Sequence, residues 1–466
     1  MRNDKIFSLG LAALLLGGCS MIPKYQRPEA PVPAVLPGGP AAPAGAAAAP
    51  AASELAWQEF FTDPGLRAVI ELALANNRDL RIAALNVDRM QAFYRIQRSN
   101  LYPSVAAVAG AESTGIPRQM SSTDESYTAG QYSVLSTASW EIDLFGRLRS
   151  LNAKALDQFL ATVEGRKAAQ ISLVAAVANG FLLLAADRES LDLARATLEA
   201  QKTSYDLILK SRDAGVASDL TLSQSRSQVE AARVDVARYT GFVATDINAL
   251  NLLAGTPIPD ELLPGGLATV AELRDISAGL DSEVLLQRPD IVAAEYRLKG
   301  ANANIGAARA AFFPRISLTG ALGAVAPGLS NLFQSGTGAW SYSAQIAQPI
   351  FAGGALKANL KGAKVDRDIA VAEYEKAIQT AFRETGDALA LRSTLVDQLD
   401  AQQSLVGALD KSYRLSEALF KEGVDSYLGV LINQRALYLA QRSLVAARLA
   451  RRSNQVTLFK VLGGGL

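Results

Sequence analysis

Two different apolar periods alternate along this chain of 466 residues. Val177, Leu184, Leu191, Leu198 and Tyr205 recur every seven positions, and so do Leu222, Val229, Val236, Val243 and Leu250. A second set follows the same rule: Leu399, Val406, Tyr413 and Phe420, then Val430, Leu437, Leu444 and Leu458, with Arg451 interrupting. A seven-residue repeat held over several heptads keeps one apolar stripe against a partner helix, which predicts coiled-coil packing. No proline interrupts 146–212 or 354–421. Each stretch therefore predicts one helix of roughly 65 residues, about 100 Å long at 1.5 Å per residue. Helices near half that length are expected at 66–100 and 218–253, so that two stacked end to end flank a long one.

Between the helices the period drops to two. In 131–144, Tyr132, Val134, Ser136, Ala138, Trp140, Ile142 and Leu144 alternate with Gln131, Ser133, Leu135, Thr137, Ser139, Glu141 and Asp143. Trp340, Tyr342, Ala344 and Ile346 alternate with Ser341, Ser343 and Gln345, and Ile316, Leu318 and Leu322 with Arg315, Ser317 and Thr319. A weaker, Ala-rich strand is expected at 104–114, with Val105, Ala107 and Ala109 opposite Ser104 and Glu112. Segments of about ten residues with one apolar and one polar face fit tilted strands that cross a bilayer around a wet lumen. A soluble sheet packed on the helices would alternate in the same way. If the strands do span lipid, four leave two open edges, which a bilayer does not tolerate. Enclosing an interior takes about eight strands or more, so several copies must combine. Three copies leave an aqueous bore.

The pattern is repeated. Asp79 and Asp290 open matching amphipathic runs that end at Pro103 and Pro314, both 211 positions apart. Ala214-Gly215-Val216-Ala217-Ser218-Asp219-Leu220 matches Glu422-Gly423-Val424-Asp425-Ser426-Tyr427-Leu428 at a spacing of 208. Each half reads helix, strand, strand, long helix, sharp turn, helix. The first repeat is assigned to 53–260 and the second to 261–466. Gly215 and Gly423 fall where the chain reverses, as a position with positive φ requires.

The amino terminus adds an address. Arg2 and Lys5 precede the apolar 6–16, the layout of a secretory signal peptide over 1–18. The only cysteine, Cys19, follows Leu16-Gly17-Gly18 as in a bacterial lipobox, whose cysteine is acylated (palmitate among the chains). Ser20 after it implies sorting to the outer membrane. Residues 19–52 are expected to form a lipid-anchored linker, almost pure Ala, Pro and Gly from residue 29 onward.

Composition then removes most chemistry. There is no histidine, which excludes Ser-His-Asp and Cys-His catalysis and His-ligated zinc. One cysteine excludes internal disulfides and Cys-based zinc sites. Lys+Arg at 46 nearly cancels Asp+Glu at 45, so nothing favours nucleic acid. No enzyme, cofactor or metal site is expected.

With Cys19-Ser20-Met21-Ile22-Pro23-Lys24-Tyr25-Gln26-Arg27-Pro28, Trp57-Gln58-Glu59-Phe60-Phe61, Asn76-Asn77-Arg78-Asp79-Leu80, Arg288-Pro289-Asp290-Ile291, Gln348-Pro349-Ile350-Phe351 and the closing Leu462-Gly463-Gly464-Gly465, the chain resembles the outer-membrane efflux proteins of the TolC/OprM type. The similarity covers essentially the whole mature chain and points to their lipoprotein, NodT-like branch. It implies a mixed α/β membrane protein: a homotrimer with a 12-stranded transmembrane β-barrel and a coiled-coil α-helical tunnel through the periplasm. It further implies a periplasmic adaptor (membrane fusion) protein and an inner-membrane RND-type pump as partners, outer-membrane lipid around the barrel, and passive efflux of small molecules such as antibiotics. Where the family narrows its periplasmic end with a Leu and an Asp, this chain has Leu428 and Ile432, with Asn433 alongside. The acidic position is missing, and an apolar constriction is the expectation instead. The repeated turns, Gly215, Val216 and Ser218 with Gly423, Val424 and Ser426, are expected to be the tips that meet the adaptor. A duct for protein secretion shares this architecture, and a non-transporting trimeric surface stalk would also use heptads.

Overall fold

The computed structural model describes residues 20–36, 55–122, 124–276 and 282–464. The signal peptide, Cys19 and the linker over 37–52 lie outside the described residues. After a single helical turn at Trp57–Phe60, helix α1 runs Pro64–Asn76 and α2 Arg78–Ser99. Strands β1 (Ser104–Ile116) and β2 (Tyr127–Ile142) precede α3 (Arg147–Asp213) and α4 (Asp219–Ala254). The second repeat gives α5 (Pro289–Ala310), β3 (Arg315–Ala326), β4 (Gly338–Ala347), α6 (Ala355–Lys421) and α7 (Tyr427–Val461). Both long helices have 67 residues, and the element order of each half is the one its periodicity predicts.

Two expectations are corrected. The single helix expected over 66–100 is two, because Asn77 breaks it with an extended ψ of 131°. Its amide donates to the Leu253 carbonyl at 2.9 Å, while its Oδ1 accepts the Leu80 N–H at 2.8 Å and so caps the start of α2. The second strand also starts earlier and stops sooner than expected, at Tyr127 and Ile142, leaving Leu144 in the turn before α3.

The chain divides into two compact units, and α3 and α6 each contribute to both. The first, residues 1–29, 86–163 and 293–374, contains the sheet. Its helical part packs Ile305 and Ala308 of α5 on Ala363 of α6. The second, residues 30–85, 164–292 and 375–466, holds an aromatic knot in which Phe60 stacks on Phe459 at 4.2 Å with Phe61 edge-on to both. Helix α3 carries a window with mean hydropathy 1.9, apolar and long enough to cross a membrane. Half of that window is buried inside the protein, where Val177, Phe181, Leu182 and Leu184 are almost wholly enclosed. Core packing accounts for it.

Candidate functional site: a one-sided sheet, two helical tips and a strap

The sheet order is β1-β2-β3-β4, antiparallel throughout, so the strands of the two repeats join at β2 and β3. Register decides what each face presents. Trp140 lies opposite Leu318, Leu318 opposite Ala344, Ser136 opposite Leu322, and Leu322 opposite Trp340. On the far side, Val105, Ala107 and Ala109 meet Ala138, Ser136 and Val134. Most apolar positions of the four strands therefore share one face, because side chains alternate and partners share a side, while Val108 and Leu135 pair with each other on the other face. The opposite face carries Ser104 against Ser139, Glu112 against Gln131, and Ser317 against Glu141 and Gln345. The apolar face is bare in the single chain: Val105 is 71% exposed, Leu322 67% and Trp340 79%. Among the described residues β1 and β4 each have one neighbouring strand, which leaves both edges unpaired.

At each sharp turn the same geometry recurs. Gly215 has φ +76° and Gly423 φ +72°, and no atom lies within 4 Å of where a Cβ would sit on either. The Gly215 N–H donates to the Arg212 carbonyl and the Val216 N–H to that of Ser211, closing α3. The Gly423 and Val424 N–H groups do the same to Phe420 and Leu419. Ser218 then caps α4, its Oγ accepting the Thr221 N–H at 3.2 Å. Ser426 occupies the equivalent position before α7 without a side-chain cap bond; Asp425 Oδ1 accepts its N–H. Val216 and Val424 stand in solvent, 83% and 72% exposed.

The first turns of α7 have two distinct faces. Tyr427, Val430 and Leu431 pack on Ile208 of α3, with Phe420 and Tyr413 against them. Leu428 and Ile432 point away and are 52% and 60% exposed, so neither belongs to this chain's own core. Asn433 donates back to the Gly429 carbonyl at 3.0 Å.

Two arrangements were not legible as roles in the sequence. Residues 20–29 form a strap along α5. Arg27 and Tyr25 bond Glu295, Asn302 donates to the Pro23 carbonyl, and Arg309 donates to that of Met21. The strap thus runs antiparallel to α5, with its start at the end of α5 that leads into β3. Gly306 makes room for it, since an added Cβ would collide with Ile22. Burial disfavours charge on Glu295, but hydrogen bonds from Arg27 and Lys299 outweigh it and hold the carboxyl below its usual range. Burial and the Glu295 carboxylate push the Tyr25 hydroxyl up. The second is Arg288, 8% exposed, which grips Asp290 at 2.8 Å, Glu384 of α6 at 3.0 Å and the Val461 carbonyl at 3.0 Å. It ties the entry to α5 to the middle of α6 and to the end of α7, which is the work of the Arg288-Pro289-Asp290 sequence. Among the described residues no group of three or more acidic or cysteine side chains is placed to hold a metal ion.

One sheet with an apolar face and two unpaired edge strands, built from a strand pair of each repeat, is what a subunit of an outer-membrane channel needs. The family profile described as outer membrane efflux protein matches residues 69–256 and 280–464, one match per repeat. The toluene efflux pump outer membrane protein TtgC of Pseudomonas putida is 48% identical over 464 residues, 99% of this chain and 96% of that protein. A crystal structure of a membrane protein from Pseudomonas aeruginosa superposes with a TM-score of 0.90 at 39% identity, covering 96% of this chain and 98% of the other. The open state of the MtrE outer membrane channel of Neisseria gonorrhoeae gives 0.87 at 37%, with the same coverage. The chain belongs to the outer membrane efflux protein family and resides in the outer membrane.

Proposed function

We propose that three copies of this chain form a passive exit duct, four strands from each closing a 12-stranded barrel and the paired helices lining a tunnel in the periplasm. The single observation that carries this reading is the shared apolar face of β1–β4 with a free edge at either side. In lipid every backbone N–H and carbonyl needs a partner, and β1 of one copy can supply β4 of the next. Two copies would give eight strands, whose interior fills with side chains, whereas twelve leave room for solutes.

The wall does no chemistry, and the free energy of export comes from an inner-membrane pump of the RND type reached through a periplasmic adaptor. Gly215, Val216, Ser218, Gly423, Val424 and Ser426 form the tips that receive the adaptor. Leu428 and Ile432 stack two apolar rings around the axis, and water avoids a narrow apolar ring until it widens. Cys19 carries the lipid that anchors the strap's start to the membrane. Relatives named for toluene, solvent and antibiotic efflux support small, largely apolar cargo.

Cysteine pairing tests the closure, because Cys19 is the chain's only native cysteine. With Cys19 acylated, chains carrying one cysteine on β1 and one on β4, moved along the strands in matched pairs, should link into disulfide-bonded trimers on a denaturing gel. Linkage that stops at dimers, or none at any register, would overturn the arrangement. Planar-bilayer conductance separates a duct from a stalk.

A further inference from the structure

Where α3, α4 and α7 meet, two buried amides have no partner in the packing. Gln201 of α3 lies one heptad after Ala194 and one before Ile208, both buried in apolar clusters. It is itself 4% exposed. Gln434 of α7 comes four residues after Val430 and three before Leu437, on the buried face of that helix, and is 8% exposed. Among the described residues no donor reaches the buried Oε1 of either. A polar group inside a helical seam is stabilising only when something across the seam pairs with it, and an orphaned one is a cost.

Both amides line one cavity of about 520 Å³, a size that holds small ligands. Val234 of α4 and Leu439 of α7 supply apolar wall. The charged groups of the cavity are unequally committed. Asp235 is bound by Arg238 at 2.6 Å, accepts the Tyr438 hydroxyl at 2.8 Å and has Arg442 at 3.6 Å. Arg442 also donates to the Tyr239 hydroxyl at 3.0 Å. Arg435 lines the same cavity and has no ion pair or hydrogen bond among the described residues. The cavity therefore offers two unused acceptors and one unused cation beside an apolar wall.

We propose that this cavity binds short acylated peptides with a free terminal carboxylate. The count of groups selects that class. Two backbone N–H groups of the ligand donate to Gln201 Oε1 and Gln434 Oε1, and its carboxylate meets the Arg435 guanidinium. An apolar side chain of the ligand covers Val234 and Leu439. A cationic ligand is disfavoured, because the Asp235 carboxylate is already offset by Arg238 and Arg442 while Arg435 repels it. Water alone would pair with the amides but leave the apolar wall wet. A bound peptide touches three helices at once and so staples α7 to the α3–α4 pair, which raises stability in proportion to its occupancy.

Three probes test this on the full-length protein in detergent by calorimetric titration: N-acetyl-leucyl-alanine, its ester analogue N-acetyl-leucyl-lactate, and N-acetyl-leucyl-alaninamide. The first has both N–H groups and the carboxylate, the second lacks one N–H, and the third lacks the charge. The peptide should bind, and the ester roughly tenfold more weakly, because one Gln oxygen is again left unpaired. Gln201→Leu and Gln434→Leu should each weaken the peptide by a similar factor, and in one of them peptide and ester should bind alike. Arg435→Ala should remove the preference for the free carboxylate over the terminal amide. Both Leu variants should melt no lower than the native protein, since an apolar group replaces an orphaned polar one. No binding by the native protein, equal binding of peptide and ester, or native affinity in both Leu variants would overturn the proposal. So would a marked loss of stability in both Leu variants, which would mean that a neighbouring copy supplies the missing donors.

Discussion

Arg27 grips Glu295 across 268 positions of sequence, its two nitrogens at 2.6 and 3.2 Å from the two carboxylate oxygens. The carboxylate is 7% exposed and the guanidinium 52%, so the pair lies at the rim of a buried contact. Its effect is to hold the strap on α5.

Removing one partner should therefore cost more than removing both. Arg27→Ala strands Glu295 with only Lys299 and the Tyr25 hydroxyl to hold its charge. A loss of roughly 1–3 kcal/mol is expected, reduced from the fully buried case by solvent at Arg27. Adding Glu295→Gln should restore part of it, which a double-mutant cycle on detergent-solubilised protein measures by circular dichroism. Additive losses would mean that the two residues act separately.

At the tips, the strain is purely one of backbone. Gly215→Ala and Gly423→Ala meet no neighbour, yet force an L side chain into the left-handed region, at about 1 kcal/mol or more. The turns should distort locally while barrel and trimer survive. Crosslinking to the adaptor and drug efflux should both fall; if neither changes, the turns only join helices.

How far the fold was legible follows from the range of the interactions involved. The heptads of α3 and α4 and the alternation in β2 are local, periodic signals, and they predicted helices and strands within a few residues. The break at Asn77 was missed because it depends on Leu253, which lies far off in the sequence. Glu295 and Glu384 were likewise invisible as partners of Arg27 and Arg288, since no periodicity links a side chain to a position 96 or 268 residues away. The tips were legible because their glycines break a coiled coil twice, at the same spacing.

Arg288 offers the sharpest test of long-range stability. Arg288→Ala leaves Asp290, Glu384 and the Val461 carbonyl without their common donor. Arg288 is buried but Asp290 and Glu384 are 46% and 35% exposed, so the loss should fall below the buried-pair range, at about 1–3 kcal/mol, and Lys, a point charge without a planar fork, should rescue little. Proteolysis should then open the start of α5 and the end of α7 together. If either stays protected alone, the residue does not couple them.

Acid–base behaviour supplies another check at Asp157, where Gly300 lets α5 pass close to α3. Burial raises this carboxyl from 3.8 to about 6, with Lys299 opposing. A raised folded-state value gives stability that is fully present below about pH 4 and lost as pH rises through about 6. Asp157→Asn, which cannot ionise, should therefore gain on the native protein across that window and stay ahead above it. Melting temperatures measured from acid to neutral pH decide the matter: a constant difference between the two proteins would mean that Asp157 titrates normally.

The constriction can be tested with the same separation of packing from lining. Leu428 and Ile432 are one helical turn apart and both face away from the cluster that holds Tyr427 and Val430. Three copies would stack them as two apolar rings. Replacing both with Ser should wet the constriction and raise single-channel conductance in planar bilayers. Because neither side chain is enclosed by its own chain, thermal stability should fall by far less than the 2–5 kcal/mol typical of a buried Leu→Ala change, roughly 1 kcal/mol or below. Leu431→Ala, one residue from the proposed ring but 8% exposed, serves as the contrast. It should destabilise strongly while leaving the bore's polarity unchanged. Should the Ser pair cost as much stability as Leu431→Ala and leave conductance as it was, Leu428 and Ile432 would be packing residues between copies, and the narrowest point would lie elsewhere, with the exposed Leu220 after the first turn the next residue to test.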